Sequence, residues 1–229
     1  MDDMELFIVE GEPGPCLDVM PPTYDARYLH ANMIPLCRRH TAGSELDALD
    51  SQISKGNLNS MTVVMFSIDL GVLSGIIEPT LVLDVMDLKY EAINLFRTMF
   101  VKYGGQGVEE MLWLFSTPAN AVLATLEAKE AAEAYNSSTD GLLIDVTGWG
   151  IHMGTLLFIE GTDIHWGDPV NTSSKLGQDL AENGDILITP EVREGSEADQ
   201  RCQGLAFEER TLQKSNVDFK CFCVTRASP

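Results

Sequence analysis

The stretch IHWGDPVNTSSKLG, residues 164–177, places an amide and a cation one helical turn apart. A Gly-Asp-Pro turn precedes a helical pattern, so Asn171 and Lys175 should lie on one face of a helix. The chain has a formal net charge of −20, and a phosphate-bearing ligand would need local cations or metals to overcome that field. Either the pair contacts such a ligand, or Lys175 is a solvated helix residue and Asn171 a turn residue. We expect Asp168 to brace the turn.

The charge balance argues against two classes of partner. The 229 residues include 35 acidic and 15 basic side chains, an excess of acid that disfavours nucleic acid and anionic membranes. No run of about 18 apolar residues occurs, so we predict no membrane insertion. The N-terminal stretch MDDMELFIVEGEPG is acidic and fits neither a secretory signal nor a transit peptide. We therefore expect a cytoplasmic protein.

The cysteines are predicted to be structural. Their spacing fits no zinc motif, and Cys221 and Cys223 alternate with Phe222 along an apparent strand, so the two thiols should share one face. We expect buried thiols in a reducing compartment. The five cysteines are Cys16, Cys37, Cys202, Cys221 and Cys223.

Residues 1–60 differ from the rest of the chain. The stretch EGEPGPCLDVMPPTYD contains four prolines and no sustained period, and a short helix capped by Ser44 is predicted further on. We interpret residues 1–60 as an N-terminal extension and residues 61–226 as the main domain.

Regular patterns begin at residue 61. They predict, in order, a strand, a helix, a strand, a helix, two strands joined as a hairpin at Gly154, a helix and two closing strands. This order predicts an α+β fold, with a ferredoxin-like βαββαβ core, a mainly antiparallel sheet and helices on one face. The sheet positions expected to face the helices are Val64, Met111, Ile151 and Ile188.

Three motifs in the second half of the chain carry a family resemblance. They are GIHMG at 150–154, HWGDPVNTSSKL at 165–176 and AENGDILIT at 181–189. Together they resemble the catalytic domain of the class III nucleotidyl cyclases, the adenylyl and guanylyl cyclases. The order of elements fits that family over about 165 residues, from Met61 to Val224.

The resemblance implies a reaction and a shared site. The family converts a nucleoside triphosphate to a 3′,5′-cyclic monophosphate and pyrophosphate, using two divalent metals held by two aspartates on adjacent strands. A dimer partner supplies an Asn that orients the ribose and an Arg that stabilises the transition state. By this resemblance Asn171 has the first role. Lys175 replaces the arginine. It keeps the positive charge but lacks the planar guanidinium group that can donate two parallel hydrogen bonds to a phosphate.

The metal-binding motifs depart from the family pattern. The first reads FSIDLG here, with Ile68 at the carboxylate position and Asp69 displaced by one residue. In a strand such a shift sends the side chain to the other face, unless a bulge redirects it. Counting back from Phe115 places Glu109 at the second aspartate, with a longer side chain. Asp69 and Glu109 are the candidate metal ligands.

The residues that would select a base are replaced. Val108 occupies the position of the family's Gly in the second motif. Gly105 occupies the position of the Lys that reads the base, and Ile164 that of the other purine-reading residue. The resemblance therefore implies no choice between adenine and guanine. His152 lies in a motif that is mainly structural, so we do not assign it as a base.

Three interpretations follow. The chain is a cyclase-homology domain without activity and without cofactor, retained as a structural or assembly subunit. Alternatively, it is the metal-less half of a heterodimeric cyclase. In the third, it is an active homodimer in which Asp69 and Glu109 hold Mg²⁺ or Mn²⁺. The expected partner is a homologous cyclase-like domain or a large assembly with a basic surface, because the chain is acidic. A cytoskeletal or ciliary location is an expectation by analogy.

Overall fold

The computed structural model describes residues 58–69, 79–158, 165–214 and 217–227. The described residues belong almost entirely to one compact unit, Asn59–Leu156 with His165–Pro229. The predicted helix at Ser44, the thiols of Cys16 and Cys37, and Ile164 lie outside the described residues.

Strands and helices alternate along the described residues. In chain order they are β1 Leu58–Ile68, α1 Pro79–Lys102, β2 Gln106–Glu109, β3 Leu112–Phe115, α2 Pro118–Ser138, β4 Val146–Phe158, β5 His165–Trp166, α3 Asp168–Ser174, a π-helix Lys175–Leu180, β6 Asp185–Ile188, α4 Pro190–Glu197, a 3₁₀ turn Gln200–Cys202, β7 Leu205–Lys214 and β8 Val217–Arg226.

The strands form one mixed sheet. Its order is β2-β3-β1-β4-β6-β8-β7, and β5 pairs with β4 beside this path. The pairs β1–β3, β2–β3, β6–β8 and β7–β8 are antiparallel, whereas β4 and β6 run parallel. The predicted α+β fold with a mainly antiparallel sheet is confirmed.

The two long helices form where local signals are strong. In α1 the buried residues Ala92, Phe96 and Phe100 recur every four positions and make one apolar face. The helix α2 begins after Thr117, whose hydroxyl accepts a hydrogen bond from the Asn120 backbone N–H at 3.3 Å, and Pro118 occupies the first turn. Both helices were predicted from these signals.

An aromatic cluster joins α1 to the centre of the sheet. The Phe66 ring lies 4.8 Å from the Trp149 ring, 5.5 Å from that of Phe96 and 6.0 Å from that of Phe100, between centroids. All four side chains are fully buried. Val64, Ile151 and Ile188 belong to the same core, as predicted. Met111 packs against this core from a turn, and is not in a strand.

A second apolar cluster covers the opposite face of the sheet. In β6, Ile186 and Ile188 join the aromatic core, while Leu187 between them joins Leu176 and Ala181 of the π-helical region. Because side chains alternate along a strand, α3 and the π-helix lie on the face opposite to α1 and α2. The helices on one face, as predicted, are α1 and α2, and the second helical layer was not predicted. The same cluster contains Cys221 and Cys223, which are buried free thiols on one face, as predicted.

Some predicted boundaries are wrong. Gly154 does not join a hairpin, because β4 continues through it as one strand from Val146 to Phe158. Gly154 instead lies where Pro169 packs against that strand. The elements β2, α4 and β7 were not predicted. They are short or strongly charged, so their periodicity is weak.

Candidate functional site

The contact between β4 and the following helix is a backbone contact. A Cβ atom at Gly150 would lie 2.0 Å from the Ser173 carbonyl oxygen and 2.4 Å from the Gly177 backbone nitrogen. Only glycine permits such an approach. The Ser173 hydroxyl also donates a hydrogen bond to the Val63 carbonyl at 3.0 Å, so the helix is tied to both β4 and β1. This contact fixes where Asn171 and Lys175 stand.

A buried imidazole braces the turn that enters α3. The His152 Nε2 atom lies 3.0 Å from the Asp168 carboxylate, and its Nδ1 atom lies 2.8 Å from the Thr189 hydroxyl. The Thr172 hydroxyl donates to the other Asp168 oxygen at 3.1 Å. His152 and Thr189 are buried, whereas the Asp168 side chain is 78% exposed. Asp168 therefore braces the turn, and His152 links β4, α3 and the start of α4.

Replacing His152 with leucine should lower the free energy of unfolding by about 1–3 kcal/mol, because the buried Thr189 hydroxyl would lose its partner. Asp168→Asn should cost less than about 1 kcal/mol, because its carboxylate is exposed. Urea unfolding followed by tryptophan fluorescence measures both. Equal costs for the two variants would contradict the proposed importance of the His152–Thr189 hydrogen bond.

Asn171 and Lys175 stand one turn apart, as their spacing predicts. The Lys175 backbone N–H bonds to the Asn171 carbonyl, and both side chains are exposed. The helix changes from α to π at Lys175, a local widening that is frequent at functional sites. The Lys175 ammonium lies 5.5 Å from the centre of the Phe219 ring of β8. The structure thus presents an amide and a cation at one surface, with the cation resting on an aromatic ring.

Ile68 of the first metal motif is partly buried. Ile68 packs against the aromatic cluster, on the same face as Phe66. Asp69 is exposed beyond the end of β1, where its backbone N–H bonds to the Asp145 carbonyl at 2.7 Å. The one-residue displacement therefore separates the carboxylate of Asp69 from the position that Ile68 fills.

Glu109 lies in β2, at the edge of the sheet. It pairs with Leu112 across a bulge in β2, and Leu112 pairs with Met65 of β1. Asp69 is four residues beyond Met65, about 13 Å along a strand. Among the described residues no group of three or more His, Cys, Asp or Glu side chains could hold a metal ion. Asp69 and Glu109 stay the candidate metal ligands predicted from the sequence.

The two thiols of β8 have little reactivity. Burial raises the pKa of the Cys221 thiol to about 11 and also raises that of Cys223, so both stay protonated at neutral pH.

At the base-reading position, a Cβ on Gly105 would lie 2.7 Å from the Phe115 ring. A lysine at Gly105 would therefore require this hairpin to shift.

Three residues of this site were not identified from the sequence. Thr189, Ser173 and Phe219 act through partners that are remote along the chain, so no local spacing pointed to them. Thr189 closes the AENGDILIT motif, but its hydroxyl contacts His152 only through the parallel pairing of β4 with β6.

Solved structures with the same architecture exist. An adenylate/guanylate cyclase/hydrolase from Silicibacter pomeroyi is 21% identical, with a TM-score of 0.57 over 75% of this chain and 98% of that one. The fold is that of a nucleotidyl cyclase catalytic domain. A monomeric guanylyl cyclase domain from the fungus Blastocladiella emersonii is 16% identical, with a TM-score of 0.58 over 74% of this chain and 96% of that one.

A third cyclase domain has the same fold with a bound nucleotide analogue. The catalytic core of a rhodopsin–guanylyl cyclase with converted specificity, in complex with ATPαS, is 16% identical, with a TM-score of 0.59 over 75% of this chain and 99% of that one. The cyclase fold implied by the sequence motifs is confirmed. No protein-family model and no curated protein sequence matches the chain. Among the described helices, none is long and apolar enough to cross a membrane.

Proposed function

We propose that this cyclase-fold chain makes no cyclic nucleotide by itself and acts as a structural or assembly subunit of a larger protein complex. The observation that carries the proposal is Ile68, a partly buried apolar residue that packs against the core where the resemblance expects a metal-binding aspartate. The nearest carboxylate in the chain, that of Asp69, is exposed beyond the end of β1 and one residue past that position. The partner is a homologous cyclase-like domain or an assembly with a basic surface, which the net charge of −20 favours.

The purified chain, given Mn²⁺ or Mg²⁺ with ATP or GTP, should yield no cyclic AMP or cyclic GMP above a blank. Electron paramagnetic resonance of Mn²⁺ should show no coupled pair of ions, a readout that does not depend on turnover. The Blastocladiella cyclase domain provides a positive control. A metal-dependent product that disappears in Asp69→Ala or Glu109→Ala would instead establish the homodimeric enzyme.

A second candidate function is the metal-less half of a heterodimeric cyclase. It is favoured by Asn171 and Lys175, which are exposed one turn apart on α3 and the π-helix. The test mixes the chain with a cyclase domain that retains both metal aspartates but has lost its own Asn and Arg. Product from the mixture alone, reduced about 100-fold or more by Asn171→Ala, would support this function. Glu182→Ala, at an exposed residue, serves as the matched control.

A further inference from the structure

An apolar stripe is exposed on α1. Among the described residues five large apolar side chains are mainly exposed, and three of them follow one another on this helix: Leu83 at 68%, Met86 at 52% and Tyr90 at 68%. At about 100° per residue, these three positions fall within an arc of about 60°. We call Leu83, Met86 and Tyr90 the α1 stripe. Side chains of this kind on one line commonly mark a contact surface.

One flank of the α1 stripe is acidic. Asp84, Asp87 and Glu91 are all exposed, and the same rotation places them along a single side of the stripe. Lys89 lies on the other side, where its ammonium contacts the Glu110 carboxylate at 2.8 Å. The stripe is therefore bordered by carboxylates on one side and by an ion pair on the other.

We propose that the α1 stripe binds a basic amphipathic helix of another protein. Such a helix presents apolar residues at i, i+3 or i+4, and i+7, which match the spacing of the stripe. Lys and Arg along one of its edges would face Asp84, Asp87 and Glu91, and this charge match fixes the orientation of docking. The surface lies on α1, and Asn171 and Lys175 lie across the sheet from it. The inference deepens the proposed function by giving the assembly subunit a surface and a type of partner.

Charge distinguishes this occupant from the others. Two copies docked stripe to stripe in antiparallel orientation would bring two acidic flanks together, and an anionic membrane would be repelled by the same carboxylates. Residues 1–57 carry ten acidic and four basic side chains. Their net charge is therefore negative, like that of the acidic flank they would have to face. A partner helix with Lys or Arg beside its apolar residues satisfies both features of the surface.

The test uses the full chain and a labelled helical peptide of about 18 residues, with leucines at the spacing above and lysines along one edge. Fluorescence anisotropy should show binding that weakens as salt is raised from about 50 to 300 mM. The double variant Leu83→Asp/Tyr90→Asp should bind at least about tenfold more weakly. Asp84→Asn/Asp87→Asn should bind at least about threefold more weakly.

Two matched controls separate this surface from general attraction to an acidic protein. Leu143→Asp changes an exposed apolar residue outside α1, between α2 and β4, and should bind within about twofold of the unaltered chain. Asp140→Asn/Glu182→Gln removes two exposed charges elsewhere and should also bind within about twofold.

Three results would overturn the proposal. They are no binding by the full chain, equal binding of a peptide in which glutamates replace the lysines, and losses in the control variants equal to those at the stripe. None of these measurements reports cyclic nucleotide synthesis, so failure here is distinct from failure of the proposed function.

Discussion

Gly150→Ala should unfold the domain or lower its free energy of unfolding by about 3 kcal/mol or more. The added Cβ would lie 2.0 Å from the Ser173 carbonyl oxygen and 2.4 Å from the Gly177 nitrogen, and both of these are backbone atoms. A flexible side chain could rotate away, but backbone held by the hydrogen bond from Ser173 to Val63 cannot. Relief of the clash requires α3 and the π-helix to move off the sheet.

Gly204→Ala is the matched control, because a Cβ there meets no atom within 4 Å. It should change stability by less than about 0.5 kcal/mol. Thermal unfolding by circular dichroism and the yield of folded protein compare the two variants. If Gly150→Ala unfolded at the same temperature as the unaltered chain, the packing of α3 against β4 described above would be incorrect.

Phe66→Ala should cost about 3–5 kcal/mol of stability, close to the whole margin of a small domain. The Phe66 ring is fully buried and lies between the rings of Phe96, Phe100 and Trp149, so truncation leaves a cavity that three aromatic side chains cannot fill. Phe66→Leu retains much of the volume and should cost less than about 2 kcal/mol. Equilibrium denaturation with urea measures both.

Tyr90→Ala provides the reference for an exposed aromatic residue, since its side chain is 68% exposed. Its expected cost is below about 0.5 kcal/mol. A Phe66→Ala cost no greater than that of Tyr90→Ala would show that β1 does not pack under α1. Phe66 opens the FSIDLG motif, so loss of its ring would remove any activity by unfolding and not by altering chemistry.

The helices α1 and α2 could be predicted because their signals are local. Ala92, Phe96 and Phe100 repeat at the helical period, and Thr117 with Pro118 marks a helix start within two residues. Strand β8 was equally clear, since Cys221, Phe222 and Cys223 alternate between its two faces. Each of these patterns is decided by neighbours in the chain.

The errors occur where distant contacts decide the structure. Glycine is common in turns, but Gly154 lies within β4, where Pro169 packs against it. The short helix α4, PEVREGSE, buries only Val192 and Ser196, so it lacks an apolar period. The π-helix depends on the contact of Gly177 with the sheet, a contact that no spacing rule contains.

In the candidate site, too, relations within one helix were predicted and contacts between distant residues were not. The relation of Asn171 to Lys175 lies within one helix, so their spacing was sufficient. The partners Thr189 and Phe219 reach the site through sheet pairing, which one sequence does not reveal. Ile68 was identified from the sequence motif as a replaced carboxylate position, and the structure adds that its partly buried side chain packs against the core.

The sheet separates two surfaces of this domain. Asn171 and Lys175 project from the helix that covers one face, and Leu83 and Tyr90 project from the helix that covers the other. A molecule docked on either side leaves the opposite side open, because a layer of strands and a layer of helix stand between them. If both proposed surfaces bind, the domain can hold two molecules at once. Two different molecules held in this way would be brought within one domain's thickness without touching each other.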